Sequence, residues 1–454
     1  MSLSEVYGKY IKLFEEKCRR SRELYNRACR VLPAGVTYSI RFYEPYPFYV
    51  ARAKGCKVYD VDGNVYTDYW IGHGALILGH AHDEIVKAVA KQLELSSHYG
   101  YAHELEVELA ELIVKHVPNV EMVRFTNSGT EANMYSARLV RAYTKRKKLV
   151  KFEGGWHGGY DSLHTGVTPP YRGPESAGVP DELIANTIVA PFNDIEGVEK
   201  IFREHGNEIA GVFIEPVMGA GGAIPANRDF LKALRELCDK YGSLLVFDEV
   251  ITGFRLGLGG SQEYFNVKAD VVVMGKIIGG GFPIGAFASR REVMEKLDHL
   301  KYRDKLERSF HGGTFTGNPV SMIAGITTIK VLEKTNAFEY LNSLGKQLMV
   351  SLMKVIEEHR LRAYVTGEGS IIGVHFTVEY PRSAVVAQTK RWSEEMYSLL
   401  HKFMLVNGIA YMTEHTVHFL LSTAHTNEDI KYLAEKFSEF LDLVKPYVPS
   451  EARL

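Results

Sequence analysis

Cysteine is scarce in this chain. The 454 residues hold four, Cys18, Cys29, Cys56 and Cys238, far apart and without a CxxC pair. That excludes a disulfide-stapled secreted domain and makes a reducing compartment, the cytoplasm, the expected setting. A surplus of charge of either sign is also missing: 54 Lys and Arg stand against 55 Asp and Glu. No electrostatic footprint for nucleic acid or an anionic membrane follows, and small-molecule partners are expected. Long apolar runs are absent. Charges interrupt the opening MSLSEVYGKYIKLFEEK before a signal-peptide core can form, and no later stretch is apolar enough to span a bilayer, so a soluble protein is expected. Repeats, low-complexity tracts and Pro/Ser-rich linkers are missing too, which implies closely packed domains.

What is present exceeds one hydrophobic core, so two or more subdomains are expected. The first forty residues carry Tyr10, Leu13, Phe14 and Lys17 at helical spacing and then a loop around Pro33-Ala34-Gly35. FYVARAKGCKVYDVDGNVYTDYW alternates about Asp62-Gly63-Asn64, a hairpin signal. Between residues 80 and 330, helical patterns alternate with the apolar runs MVRF, LVKF, GVFI, LLVF and VVVM. This is an α/β pattern with a largely parallel sheet covered by helices. Beyond 330 come helices from Phe338, Arg391 and Asn427 and the strand-like SIIGVHFTV and HTVHFLLS, a smaller α+β domain. The expected division is residues 1–75 as an N-terminal helix and hairpin joining the small domain, 76–330 as the large ligand-binding domain, and 331–454 as the small domain.

In an open parallel sheet, ligands lie beyond the carboxyl ends of the strands. Here those ends carry Thr126-Asn127-Ser128-Gly129-Thr130, Glu153-Gly154-Gly155-Trp156-His157, Glu215-Pro216, Asp248-Glu249 and Gly275-Lys276. Ser128-Gly129-Thr130 precedes a helical run, so its amides and hydroxyls sit at a helix N-terminus where a phosphate fits. For a lone SGT an ordinary cap is the commoner meaning, and only its company reverses the odds. Asp248 follows four apolar residues, a placement that buries a carboxylate at high cost unless a cation or several donors meet it, and a protonated pyridine nitrogen is such a partner. Lys276 ends the next strand before a glycine run; burial there lowers an amine's pKa and makes it nucleophilic, which suits a Schiff base. That run lacks the GK[ST] ending of a nucleotide loop. Trp156 offers an aromatic face, and Gly313 to Pro319 is a polar turn before a helix. His80-Ala81-His82 lacks a third ligand at informative spacing, so no metal is expected. Lys145 to Lys148 is a basic helix end, complementary to the helix dipole.

In this order FTNSGTEAN, GGWHGGYD, FIEPVMGAGG, LLVFDEVITGFR, VVVMGKIIGGGFPIGAF and HGGTFTGNP closely resemble the motifs of class III pyridoxal phosphate (PLP)-dependent aminotransferases. PAGVTYSIR, GHAHDEI, AGVP and STAHTNEDI make the chain most similar to the glutamate-1-semialdehyde aminomutase branch. The resemblance, spanning residues 33 to about 430, implies the type I (aspartate aminotransferase-like) fold and a homodimer with its sites at the interface. It also implies that Lys276 carries PLP as a Schiff base, that Asp248 pairs with the ring nitrogen, and that Ser128, Gly129 and Thr130 hold the phosphate. Trp156 and Val250 would flank the ring, Thr314 would reach the neighbouring subunit's phosphate, and Arg41 would hold a substrate carboxylate, a group that a guanidinium matches bidentately.

Three departures bear on the reaction. Thr416-Val417-His418 stands where the aminomutases carry Phe-Glu-Ala, TGVTPPYRGPES differs from their gating loop, and Ala288-Ser289 replaces a glycine pair. An aminomutase must retain its intermediate, and loop closure is one way to do so. The expectation is therefore a ping-pong aminotransferase acting on a carboxylate-bearing amino acid, β- or otherwise non-α, and a keto acid. The alternative is intramolecular transfer giving 5-aminolevulinate. A racemase on the same cofactor and a non-catalytic PLP-fold protein rank below both.

Overall fold

The structure is a computed structural model that describes residues 2–412 and 414–454. The N-terminal pattern gives two helices instead of the single expected one, Leu3–Lys17 and Arg19–Ala28, broken where Cys18 adopts φ −120° and ψ 45°. Ser2 and Glu5 form a capping box that starts the first helix. The expected hairpin follows. Strands β1 (Val50–Lys54), β2 (Lys57–Asp60) and β3 (Val65–Asp68) pair antiparallel in turn.

The central sheet begins with β4 (Met122–Thr126), β5 (Lys148–Phe152), β6 (Thr187–Ala190) and β7 (Ile209–Ile214). A short hairpin of β8 (Val217–Met218) and β9 (Ile224–Pro225) stands beside it. Strands β10 (Leu244–Asp248), β11 (Val271–Gly275) and β12 (Gly285–Ser289) complete the seven-stranded sheet in the order β4-β12-β11-β10-β7-β5-β6. All pairs are parallel except those of β12, which runs antiparallel to both β11 and β4. Every residue of β7, β10, β11 and β12 is buried, which is why β7, β10 and β11 read as apolar runs.

β12 was not among the expected strands. Its sequence, GAFAS, is small because neighbouring backbone is close: a Cβ on Gly285 would lie 2.1 Å from the Ser128 carbonyl oxygen. Likewise the helix Pro319–Lys334 meets the turn after β11 at Gly325, where a Cβ would fall 1.9 Å from the Ile278 carbonyl oxygen.

The C-terminal part contains β13 (Tyr364–Glu368), β14 (Ile371–His375), β15 (Ile409–Ala410) and β16 (Val417–Leu420). β13, β14 and β16 form an antiparallel sheet, packed by the long helix Ala337–Glu358 and, through it, by Asn427–Val444. β15 instead pairs parallel with β3, so the N-terminal sheet is completed from the C-terminal part. The fully buried Arg255 ties these parts together: it donates to the carbonyls of Gly74 and Leu421 and, at 3.2 Å, to Ser370 Oγ. No helix among the described residues is long and apolar enough to cross a membrane.

Candidate active site

Lys276 leaves β11 with φ 49°, a left-handed conformation that costs a residue bearing a Cβ on the order of 1–3 kcal/mol and persists only where its surroundings impose it. Here Gly275 precedes it and the helix Pro319–Lys334 presses at Gly325 on the turn two residues on, at the Ile278 carbonyl. Its side chain lines a cavity of about 510 Å³. Burial brings the ammonium down to about 8, against the raising influence of Asp248 and Glu215, with Arg255 lowering it further.

Asp248 ends β10, only 4 % exposed. Its Oδ2 accepts from Asn133 Nδ2 at 2.8 Å and faces His157 Nδ1 at 2.8 Å, while Oδ1 accepts from the Val250 amide at 3.1 Å. Asn133 comes from the helix Gly129–Thr144 and His157 from the loop after β5. Two strand ends and a helix thus converge on one carboxylate, fixing its orientation.

That loop has its own supports. Glu215 receives the Trp156 amide on Oε1 at 2.7 Å and the Gly219 amide on Oε2 at 3.0 Å, and burial raises its carboxyl above the usual range. Lys151, fully buried on β5, donates to the carbonyls of Gly155, Leu163 and Thr165. Burial lowers its pKa to about 8. Trp156, held between these anchors, keeps 36 % of its surface exposed and lines the Lys276 cavity.

Ser128 caps the helix Gly129–Thr144, its Oγ accepting from the Glu131 amide at 3.1 Å. The first-turn amides of Gly129 and Thr130 have no partner within a helix, so they point outward as an anion site. The surroundings are shaped to admit backbone and nothing larger. A Cβ on Gly129 would lie 2.8 Å from Val250 Cγ2, and one on Gly158 would lie 2.2 Å from Thr130 Oγ1. A planar ring with a phosphate and a basic nitrogen fits this donor set: amides for the phosphate, Val250 and Trp156 for the faces, the oriented Asp248 for the nitrogen and Lys276 for the aldehyde carbon.

Two expected residues lie elsewhere in the chain's own geometry. Arg41, exposed on the turn Ser39–Arg41, donates to Thr37 Oγ1 at 2.8 Å. It lines a neighbouring cavity of about 530 Å³ that shares Trp70 and His73 with the Lys276 cavity, so it stands one wall away. Thr314 is exposed in a separate hollow with His98, Tyr99 and His103. His80 Nε2 faces Asp68 Oδ2 at 2.7 Å, which occupies it within the fold.

The cavity also brings in Arg391 and His73, which motif reading missed, and His418, which it met only as part of a departure from the aminomutase pattern. Arg391 lines it, with Nη1 3.4 Å from Glu394 Oε1 and its guanidinium 4.9 Å from the Tyr397 ring centroid. His73 and His418 line it as well. His73 lies in a left-handed run with Ile71 and Gly72; burial, then Lys276 and Arg41, lower it to about 4. Above them the segment 165–176 forms a roof. Val167, Thr168, Pro169 and Tyr171 line the cavity. Glu175 accepts from the amides of Val167 at 2.6 Å and Thr168 at 3.0 Å, and Tyr171 Oη donates to the Ala384 carbonyl at 3.1 Å.

Comparison with known proteins agrees with this constellation. The model of the aminotransferase class-III family matches residues 38–441. The glutamate-1-semialdehyde 2,1-aminomutase of Methanopyrus kandleri is 42 % identical, over 94 % of this chain and 99 % of its own. Among solved structures, an omega-transaminase from Sphaerobacter thermophilus has a TM-score of 0.86 at 36 % identity, covering 93 % of this chain and 97 % of its own. A beta-phenylalanine aminotransferase from Variovorax paradoxus has a TM-score of 0.90 at 31 % identity, covering 99 % of both. The α/β architecture, the convergence of Lys276 and Asp248 with the helix terminus, and these likenesses agree: the chain belongs to the class III aminotransferase family of PLP-dependent enzymes.

Proposed function

We propose that the Lys276 cavity moves an amino group within a small carboxylate-bearing substrate, as a glutamate-1-semialdehyde 2,1-aminomutase does. This reverses the preference drawn from sequence for a two-substrate exchange. The observation that carries it is the loop 165–176: Val167, Thr168, Pro169 and Tyr171 line the cavity, Glu175 braces the loop from within through the Val167 and Thr168 amides, and Tyr171 ties it to the Ala384 carbonyl. The sequence difference in this loop argued against retention of an intermediate; its internally braced path, anchored at Ala384, favours retention. The identity to curated aminomutases points the same way.

In this reading Lys276 would hold the cofactor covalently at rest, and its amine would be free to act as a base once substrate is bound. The freed amine, uncharged in part because burial brings it to about 8, takes the proton from the substrate's amine-bearing carbon. PLP supplies the electron-accepting ring that stabilises negative charge at that carbon. Asp248, steadied by Asn133 and His157, keeps the ring nitrogen protonated. Ser128, Gly129 and Thr130 anchor the phosphate, with Trp156 and Val250 against the ring. Arg391 and Arg41 attract the substrate carboxylate from two sides of the Trp70–His73 wall. Thr314 serves the phosphate of a second copy, making the working unit a homodimer.

The test is to incubate holoenzyme with glutamate-1-semialdehyde and no amino acceptor. Appearance of 5-aminolevulinate supports intramolecular transfer. The second reading, exchange between a non-α amino acid and a keto acid, is favoured by Arg391 and His418 in the cavity, where a carboxylate was expected nearby, and by the transaminases of like fold. Product only in the presence of a keto acid would establish that reading and remove the first.

A further inference from the structure

His418 is a cavity side chain that neither cofactor binding nor the arginines account for. It lies on β16 opposite Gly373 of β14, and its ring lines the cavity although only 5 % of it is exposed. The ring rests against Trp70, centroids 4.7 Å apart and planes tilted by 48°. Its Nδ1 is buried without a hydrogen-bond partner among the described residues, and so is Trp70 Nε1. An unmet buried polar group is costly, and an oxygen of a ligand in the cavity would offer this wall a partner.

The chemistry of that group is limited by charge. His418 is uncharged: burial, then Lys276, His375 and His73, bring it down to about 3. An uncharged imidazole has one donor and one acceptor nitrogen. The charged side chains lining the cavity are Lys276, Arg391 and Glu394, and Glu394 faces the Arg391 guanidinium. The cavity is therefore suited to anionic or neutral oxygens and offers no free carboxylate for a second ammonium. Resting on the proposed amino-transfer function, we infer that His418 is a specificity-determining residue that hydrogen-bonds an oxygen of the substrate held between Lys276 and Arg391. The ligand class is a short carbon chain with one carboxylate and a second oxygen function, either carbonyl or carboxylate.

The experiment measures calorimetric binding of two inert probes, glutarate with two carboxylates and butyrate with one, to the holoenzyme. Wild type, His418→Phe and His418→Gln are compared, with the cofactor absorbance of each recorded as a check on the intact site. His418→Phe should weaken glutarate binding about tenfold while butyrate changes less than about twofold, as expected where a polar partner is replaced by an apolar one of similar size. His418→Gln should recover most of the loss. An unchanged glutarate affinity, or equal losses for both probes, overturns the role of His418. If glutarate binding depends on His418 yet wild type turns over neither glutamate-1-semialdehyde nor any amino acid with a keto acid, His418 stands and the proposed function falls.

Discussion

Lys276 is chemically useful because burial lowers its ammonium to about 8 while Asp248 and Glu215 limit the fall. At neutral pH roughly one amine in ten is then uncharged, against fewer than about one in a thousand at the ordinary lysine value. Cofactor-free protein should therefore capture PLP faster as pH rises from 6 to about 8 and level off above it, as followed by stopped-flow absorbance. A rate still climbing tenfold per pH unit at pH 9 would show an unshifted lysine. Lys276→Ala should abolish turnover. The two arginines make separable predictions. Arg391→Met should raise KM for carboxylate substrates by about tenfold or more, the loss of one charge-assisted contact of about 1.5–3 kcal/mol. Arg41→Met, one wall away, should raise it less; the reverse order in steady-state kinetics would make Arg41 the principal anchor.

At the scale of elements, the site depends on backbone packed against backbone or side chain with no room for a methyl group. Gly129 opens the helix Gly129–Thr144 directly beneath Val250. Gly129→Ala should lower PLP affinity, measured by titrating cofactor-free protein, by about tenfold, since an overpacked contact costs on the order of 1–3 kcal/mol. Val250→Ala in the same chain should restore part of it, because the clash is with the Val250 methyls. A loss that Val250→Ala leaves untouched would place the strain elsewhere. Gly325 acts one layer further out, letting the helix Pro319–Lys334 bear on the turn that holds Lys276 left-handed. This level was only partly legible. Five strands of the sheet announced themselves as apolar runs, most plainly β7, β10 and β11, whose faces are all buried; β6, a four-residue edge strand only partly buried, went unrecognised. β12 gave no such signal, since close backbone approach selected Gly, Ala and Ser over the bulky residues that signal a strand. The break at Cys18 was equally hidden, for the helical periodicity continues through it.

At the scale of the molecule, the cavity lies where separate parts of the chain meet. Lys276 and Trp156 come from the large sheet, Trp70 and His73 from the N-terminal segment, and Arg391 and His418 from the C-terminal part. Arg255 bridges those parts without an ion-pair partner among the described residues, and burial lowers its pKa to about 10. Arg255→Ala should leave the Gly74 and Leu421 carbonyls unmet and destabilise the fold by about 3 kcal/mol or more. A thermal scan showing an unchanged midpoint would contradict this. Thr314, exposed and far from the chain's own cavity, predicts that specific activity falls on dilution as a dimer dissociates. Activity independent of concentration down to the point where size-exclusion shows monomer would refute a shared site.

The sequence by itself determined the cofactor chemistry. Lysine and carboxylate at successive strand ends and a Ser-Gly-Thr helix start are local signals, each written within a few residues of a strand boundary. The tertiary structure decided what surrounds them. Arg391, His418 and His73 carry no motif, and they face Lys276 only because β3 pairs with β15, β14 with β16, and the roof folds down onto Ala384. Contacts between residues hundreds of positions apart leave no periodic trace in the chain. The sequence marked the 165–176 and 416–418 segments as the places to look, and how they meet around Lys276 became visible only in the folded molecule.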